Sequence, residues 1–126
     1  MNRLIIVGSP RTDGRSGHLA NMLFETCIEE CPDDELALAP VSTLDVGGCT
    51  GCDACRDNIA KLAELGEEAI DDDFAPCVID DDMQEIYELI DSADEITVVS
   101  PVYFAGPPSQ LKALLDRLQP YYWTNA

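Results

Sequence analysis

Residues 8–20 read GSPRTDGRSGHLA, and the reading of this stretch decides the fold. It follows the apolar run Leu4-Ile5-Ile6-Val7 and leads into an amphipathic segment, which gives the order strand, loop, helix. Backbone N–H groups and hydroxyls of a loop rich in Gly, Ser and Thr converge on one spot. The helix start beyond adds the positive end of its dipole. Arg11 and Arg15 supply guanidinium groups that fork onto phosphate oxygens. The stretch reads as a phosphate cradle, and an ordinary βα loop with a Gly-containing turn is the competing reading. It lacks G-x-x-x-x-G-K-[ST], which excludes a nucleoside-triphosphatase loop, and it lacks a proper G-x-G-x-x-G dinucleotide fingerprint.

Working outward, the run over residues 3–7 is apolar on both faces, as suits a buried parallel strand. From Ser16 onward, Leu19, Leu23 and Cys27 recur every four residues beside Ala20, Phe24, Ile28 and Cys31, predicting a helix with a wide apolar face. Cys27 and Cys31, one turn apart, are expected in the core, with metal ligation the competing reading. Residues 35–41 form a second strand with Pro40 near its end, and residues 95–100, EITVVS, a third. Between them, Asp82 and Glu85 fit a D-x-x-E helix start, with Met83, Ile86, Tyr87 and Ile90 on one face. A final helix over residues 109–118 carries Leu111, Leu114, Leu115 and Leu118, and Pro120 is expected to stop it. Strands alternating with helices over short loops indicate an α/β, doubly wound parallel sheet in a single domain, residues 1–126. Ligands of such sheets bind beyond the carboxyl ends of the strands, where the loops after strands one and three both fall.

The net charge is −18, from 25 acidic against 7 basic residues. Such a surface repels nucleic acid and anionic membrane, so neither is an expected partner. No apolar run is long enough to span a bilayer and nothing at the N-terminus reads as a signal peptide, so the expected location is cytoplasmic.

The chain has six cysteines. Cys49, Cys52 and Cys55 form C-x2-C-x2-C, and Cys77 follows after 21 intervening residues. In a reducing compartment such clustering points to metal or redox chemistry rather than disulfides. Three chemistries fit: four thiolates around an iron–sulfur cluster, tetrahedral zinc, or a redox dithiol. Unligated cysteines are the bland alternative. Gly47, Gly48 and Gly51 permit the tight turns of a ligand loop. His18 lies apart from this array, at the helix start of the cradle. Ile59, Leu62, Ala63, Leu65 and Ile70 predict a helical insertion over residues 56–76, with a solvated acidic tail at Asp71-Asp72-Asp73.

Taken together, GSPR…GRSGHLA, CTGCDAC, CVIDDDMQEIYELI and SPVYFAGPPSQLKALLDR resemble, in order, the NAD(P)H-dependent FMN reductase family and its iron–sulfur flavoprotein branch, of flavodoxin-like fold. The resemblance implies noncovalently bound FMN. It implies that Ser9, Arg11, Arg15, Ser16 and Gly17 hold its phosphate, and that Pro101, Val102, Tyr103, Phe104 and Gly106 lie along its ring. Plain core packing is the competing role for Tyr103 and Phe104. It further implies a 4Fe–4S cluster on Cys49, Cys52, Cys55 and Cys77, with NAD(P)H or a protein as electron donor. The branch places its fourth cysteine closer to the third than here. A five-stranded sheet of order 2-1-3-4-5 would lack its last two strands, leaving three in the order 2-1-3 and a C-terminally incomplete domain. An open third strand implies a homo-oligomer or a second chain that completes the sheet. The readings are therefore an electron-transferring FMN oxidoreductase with a cluster, an NAD(P)H:flavin or quinone-type reductase without one, or a non-catalytic metal-binding or partner subunit.

Overall fold

The structure is a computed structural model and describes residues 1–65 and 76–124. Its elements are β1 (Asn2–Val7), α1 (Arg15–Glu30), β2 (Glu35–Pro40), a 3-10 turn (Val41–Thr43), α2 (Ala54–Leu65), α3 (Met83–Ser92), β3 (Glu95–Val99), α4 (Ser109–Asp116) and α5 (Gln119–Thr124). The strands form one sheet of order β2-β1-β3, all parallel, with Leu4 opposite Ala37 on one side and Ile96 on the other. This is the α/β flavodoxin-like arrangement expected from the alternating pattern. Because all three strands run the same way, the loops after β1, β2 and β3 emerge at one edge, where a ligand site is built.

The two faces of the sheet are unequally covered. Leu4 and Ile6 pack under α3 and α4 with Ala39, Val41, Met83, Ile86, Tyr87, Leu111 and Leu114, all buried. On the opposite face Ile5 and Val7 meet only one fully buried helical residue, Ala20 of α1, with Leu23 and Phe24 packed beside it. Leu19 and Ile28, expected on the apolar face of α1, stand exposed instead. A three-stranded sheet is too narrow to cover a helix face that wide. Cys27 and Cys31 are half-buried. On β3, Ile96 and Val98 share the face of Leu4 and Ile6 by register, yet remain 44% and 45% exposed.

Three helix ends differ from the sequence pattern. Pro120 does not end the helical run: α4 stops at Asp116, and Pro120 lies buried in the first turn of α5, where its missing N–H costs no hydrogen bond. The Asp82 side chain does not cap α3. Its Oδ2 accepts from Asp45 N–H at 2.7 Å, and Asp81 Oδ1 takes the Met83 N–H at 3.1 Å. The insertion helix starts earlier than residue 56, at Ala54, and is described to Leu65. Ile70 and Asp71-Asp72-Asp73 lie outside the described residues. No helix among the described residues is long and apolar enough to cross a membrane.

Candidate functional site

The cradle loop leaves β1 at Gly8, whose N–H donates to Val99 O at 2.8 Å and so ties β1 to β3 at the edge. A Cβ at Gly8 would stand 2.5 Å from Leu111 Cδ2 and 3.1 Å from Ser100 Cβ, so the close approach requires glycine. Ser9 is buried, and its hydroxyl accepts the Arg11 N–H at 3.1 Å. Arg11 and Arg15 are exposed, Arg11 loosely paired with Asp13 at 3.9 Å. Arg15, Ser16, Gly17 and His18 form the first turn of α1, which has an extended Gly14 before it and no side-chain cap. The His18 N–H donates to Gly14 O at 3.0 Å, which leaves the N–H groups of Arg15, Ser16 and Gly17 for an anion.

The loop after β3 has a different character. Tyr103 and Gly106 exchange both backbone hydrogen bonds, at 2.9 and 3.1 Å, around Phe104 and Ala105. Those two residues have φ of 44° and 64°, a turn geometry that glycine and asparagine normally supply. Phe104 is fully exposed and Val102 and Tyr103 also face solvent, so the core-packing role for the aromatic pair does not hold. A bulky side chain held at positive φ and projected into water is a costly arrangement of the kind found at ligand clamps.

The third loop, after β2, carries the cysteine motif. Residues 49–55 wind through left-handed backbone at Gly51 and Asp53, φ 70° and 60°, and Gly51 N–H points at Cys49 Sγ, 3.4 Å away. Cys49 and Cys52 are exposed, Cys55 and Cys77 half-buried, and none is in a disulfide. All four line one pocket with Val78, Ile79, Arg117 and Pro120, so the chain returns Cys77 to the motif across the intervening helix. Asn58 of α2 assists by donating to Pro76 O at 2.9 Å, and Gln84 of α3 donates to Ile79 O at 2.8 Å. Among the described residues no three His, Cys, Asp or Glu are gathered as a single metal ion requires. Four thiols are nonetheless the donor type that iron–sulfur clusters and structural zinc both take.

Below this pocket lies a group that sequence patterns missed. Arg117, 1% exposed, follows the last turn of α4. Its Nη1 donates to Asp81 Oδ2 at 2.7 Å and to Gly47 O at 3.0 Å, and its Nη2 to Asp81 Oδ1 at 3.0 Å and Ile79 O at 3.4 Å. Asp81 also accepts the Gly47 N–H at 2.9 Å. The Tyr87 hydroxyl donates to Arg117 O at 2.6 Å. Burial works against the Arg117 charge, yet the hydrogen-bonded Asp81 carboxylate more than offsets it and holds the guanidinium pKa above its usual value. Burial likewise opposes ionisation of Asp81, but bonds from Arg117, Gly47 and Met83 hold it below the usual carboxylate value. Burial, with the nearby Cys77 as a smaller cause, pushes the Tyr87 hydroxyl up. The available sequence signal is an arginine three residues beyond Leu114, continuing a buried stripe, with the acidic triplet Asp80-Asp81-Asp82 upstream.

The sequence is 38% identical over 112 residues to an iron–sulfur flavoprotein of Methanosarcina thermophila, covering 89% of this chain and 49% of that protein. It is 31% identical over 123 residues to an iron–sulfur flavoprotein of Archaeoglobus fulgidus, covering 96% of this chain and 47% of the relative. A third, from Methanocaldococcus jannaschii, is 31% identical over 115 residues, 91% of this chain and 50% of the relative. The chain thus spans about half the length of the curated relatives it matches. With the parallel 2-1-3 sheet, the three loops at one edge, and a family-wide sequence match over residues 1–125, the chain belongs to the NADPH-dependent FMN reductase family.

Proposed function

We propose that this chain is the flavin-binding part of an FMN-dependent oxidoreductase that exchanges electrons between its flavin and a 4Fe–4S cluster. The observation that carries the reading is the lining of one pocket by Cys49, Cys52, Cys55 and Cys77, on the loop side of a sheet whose other loops are the Ser9 cradle and the Phe104 turn. Bound flavin takes up a hydride and releases electrons singly, which is what couples a two-electron donor to a one-electron centre. Ser9, Arg11, Arg15, Ser16 and Gly17 are assigned to the flavin phosphate through N–H groups, hydroxyls and guanidinium charge. Pro101, Val102, Tyr103, Phe104 and Gly106 are assigned to the ring, with Phe104 packing on its face. NAD(P)H or a reduced protein is the assigned electron source, in keeping with the family description. The free thiols support a reducing, cytoplasmic setting. The bare Ile96 and Val98 support cover by a second copy or a second chain.

An anaerobic ultraviolet–visible spectrum tests the reading. Flavin bands on a broad thiolate-to-iron shoulder are the expected result. Clean flavin bands would place the chain with cluster-free reductases, and a colourless chain that takes up no FMN would overturn the reading.

Two substitutions separate the parts. Cys52→Ser is expected to abolish the iron shoulder and the acid-labile sulfide while leaving FMN content unchanged. Retention of full iron would mean that Cys52 is not a ligand. Phe104→Ala is expected to weaken FMN about tenfold, by loss of about 1 kcal/mol of stacking plus contact area. Because Phe104 touches nothing in the core, the unfolding midpoint should not move. Fluorescence titration with FMN reads the first effect and urea unfolding the second.

A further inference from the structure

The Arg117 guanidinium has five N–H donors. Four are spent on Asp81, Gly47 and Ile79, and the fifth, on Nε, is buried without an acceptor. Buried N–H groups of charged side chains are rarely left so, because the desolvation penalty goes unrecovered. Arg117 also lines the pocket that the four cysteines line. Its other contacts fall on both arms of that pocket: Gly47 O lies two residues before Cys49, and Ile79 O two residues after Cys77. Asp81 joins the same arms, bonded to Gly47 N–H on one side and to Arg117 on the other.

We propose that Arg117 is the positioning residue of the four-cysteine pocket, clamping its two arms at a fixed separation and keeping the Nε–H for a sulfur held there. The proposal rests on the reading of the pocket as a metal–thiolate site, and it concerns only this chain's residues toward that group. A lysine would keep the charge but not the fork, and one ammonium cannot hold Gly47, Ile79 and Asp81 in the same geometry. Such outer partners orient the ligands and tune the sulfur by hydrogen bonding.

The test uses the 126-residue chain, reduced and anaerobic, with Cd2+ alone as the probe and cadmium–thiolate absorbance as the readout. Cadmium gathers thiolates around itself as it binds, so its uptake needs the cysteines on their two arms but no preformed single-ion site, and neither iron nor flavin. A chain lacking iron–sulfur bands would therefore sink the cluster reading without touching this result. Arg117→Lys is expected to bind Cd2+ about 10–100-fold more weakly than the wild type. In a Cys77→Ser background the same change should cost far less, since one arm of the clamp then has no ligand to place. Equal affinity of Arg117→Lys and wild type overturns the proposal, as does an equal loss in both backgrounds, which would mark a general structural role.

A second readout needs no variant to fold. Arg117 is the one fully buried arginine, so its Nε–H is the guanidinium resonance most protected from exchange with water. In a nitrogen-15 NMR spectrum of the wild-type chain it should move downfield on cadmium loading, as a sulfur accepts from it. An Nε–H that does not move, or a wild-type chain that takes up no cadmium, overturns the proposal.

Discussion

Asp81→Ala is expected to lower the unfolding free energy by about 3–5 kcal/mol, the cost of leaving a buried charge without its partner. The Asp81–Arg117 pair is enclosed, with side chains 8% and 1% exposed, so water cannot replace the lost carboxylate. The Gly47 and Met83 N–H groups lose their acceptor in the same step. Urea unfolding by circular dichroism measures the loss. Replacing both partners, as in Asp81→Ala with Arg117→Met, should recover much of it, because no buried charge then remains. A single variant that loses less than about 1 kcal/mol would show that the pair is far better hydrated than its burial indicates.

Acid behaviour gives the same pair a signature. The folded Asp81 carboxyl is held below its ordinary value, so its contribution is full above the unfolded value of about pH 4. That contribution is lost as pH falls through the folded value. Asp34, held down first by its bond from Arg3, follows the same sign at the other end of the sheet. The stability of Asp81→Ala should therefore fall less steeply below pH 4 than that of the wild type, with Asp34 left to supply a remaining slope.

Leu114→Ala is expected to cost about 2–5 kcal/mol, against less than about 0.5 kcal/mol for Leu19→Ala. Both are leucines on helices that flank the sheet. Leu114 is fully buried against β1 and α3, whereas Leu19 is more than half exposed on α1. The ratio of the two losses measures how unequally the sheet is covered. Similar losses would mean that the α1 face is packed in solution by something else, such as a second copy of the chain. Repeating the Leu19→Ala measurement across a concentration series would identify such a copy.

The alternation of apolar runs and helical periods made the three strands, their parallel direction and the helix faces of α3 and α4 legible, because each is a local pattern. The glycine-bearing cradle and the cysteine spacing were legible for the same reason. Cys77 was grouped with the motif by its residue type and by the resemblance rather than by spacing, which does not report how a 21-residue excursion closes. Asp81 and Arg117 were opaque. An acidic triplet before a helix fits dipole stabilisation as well as it fits an ion pair, and the deciding partner lies 36 residues away. The bare half of α1 was misread because periodicity reports which residues share a face, not whether a neighbour reaches it.

The central place of β1 also orders the history of the chain as it is made. Its pairing with β2 spans only the intervening α1, whereas its pairing with β3 joins Arg3 to Glu95 and must wait for everything between β2 and β3 to be made. One side of the first strand therefore stays unzipped until β3 is made, shielded only by what β2 and α1 already provide. Closing that last seam joins residues far apart in the chain, and long-range closures of this kind govern the folding rates of parallel sheets. The Asn2 amide bonded to Asp94 at 2.8 Å and the Arg3–Glu95 ion pair at 2.7 Å stand at the start of the seam, where they can set its register before the apolar pairs meet.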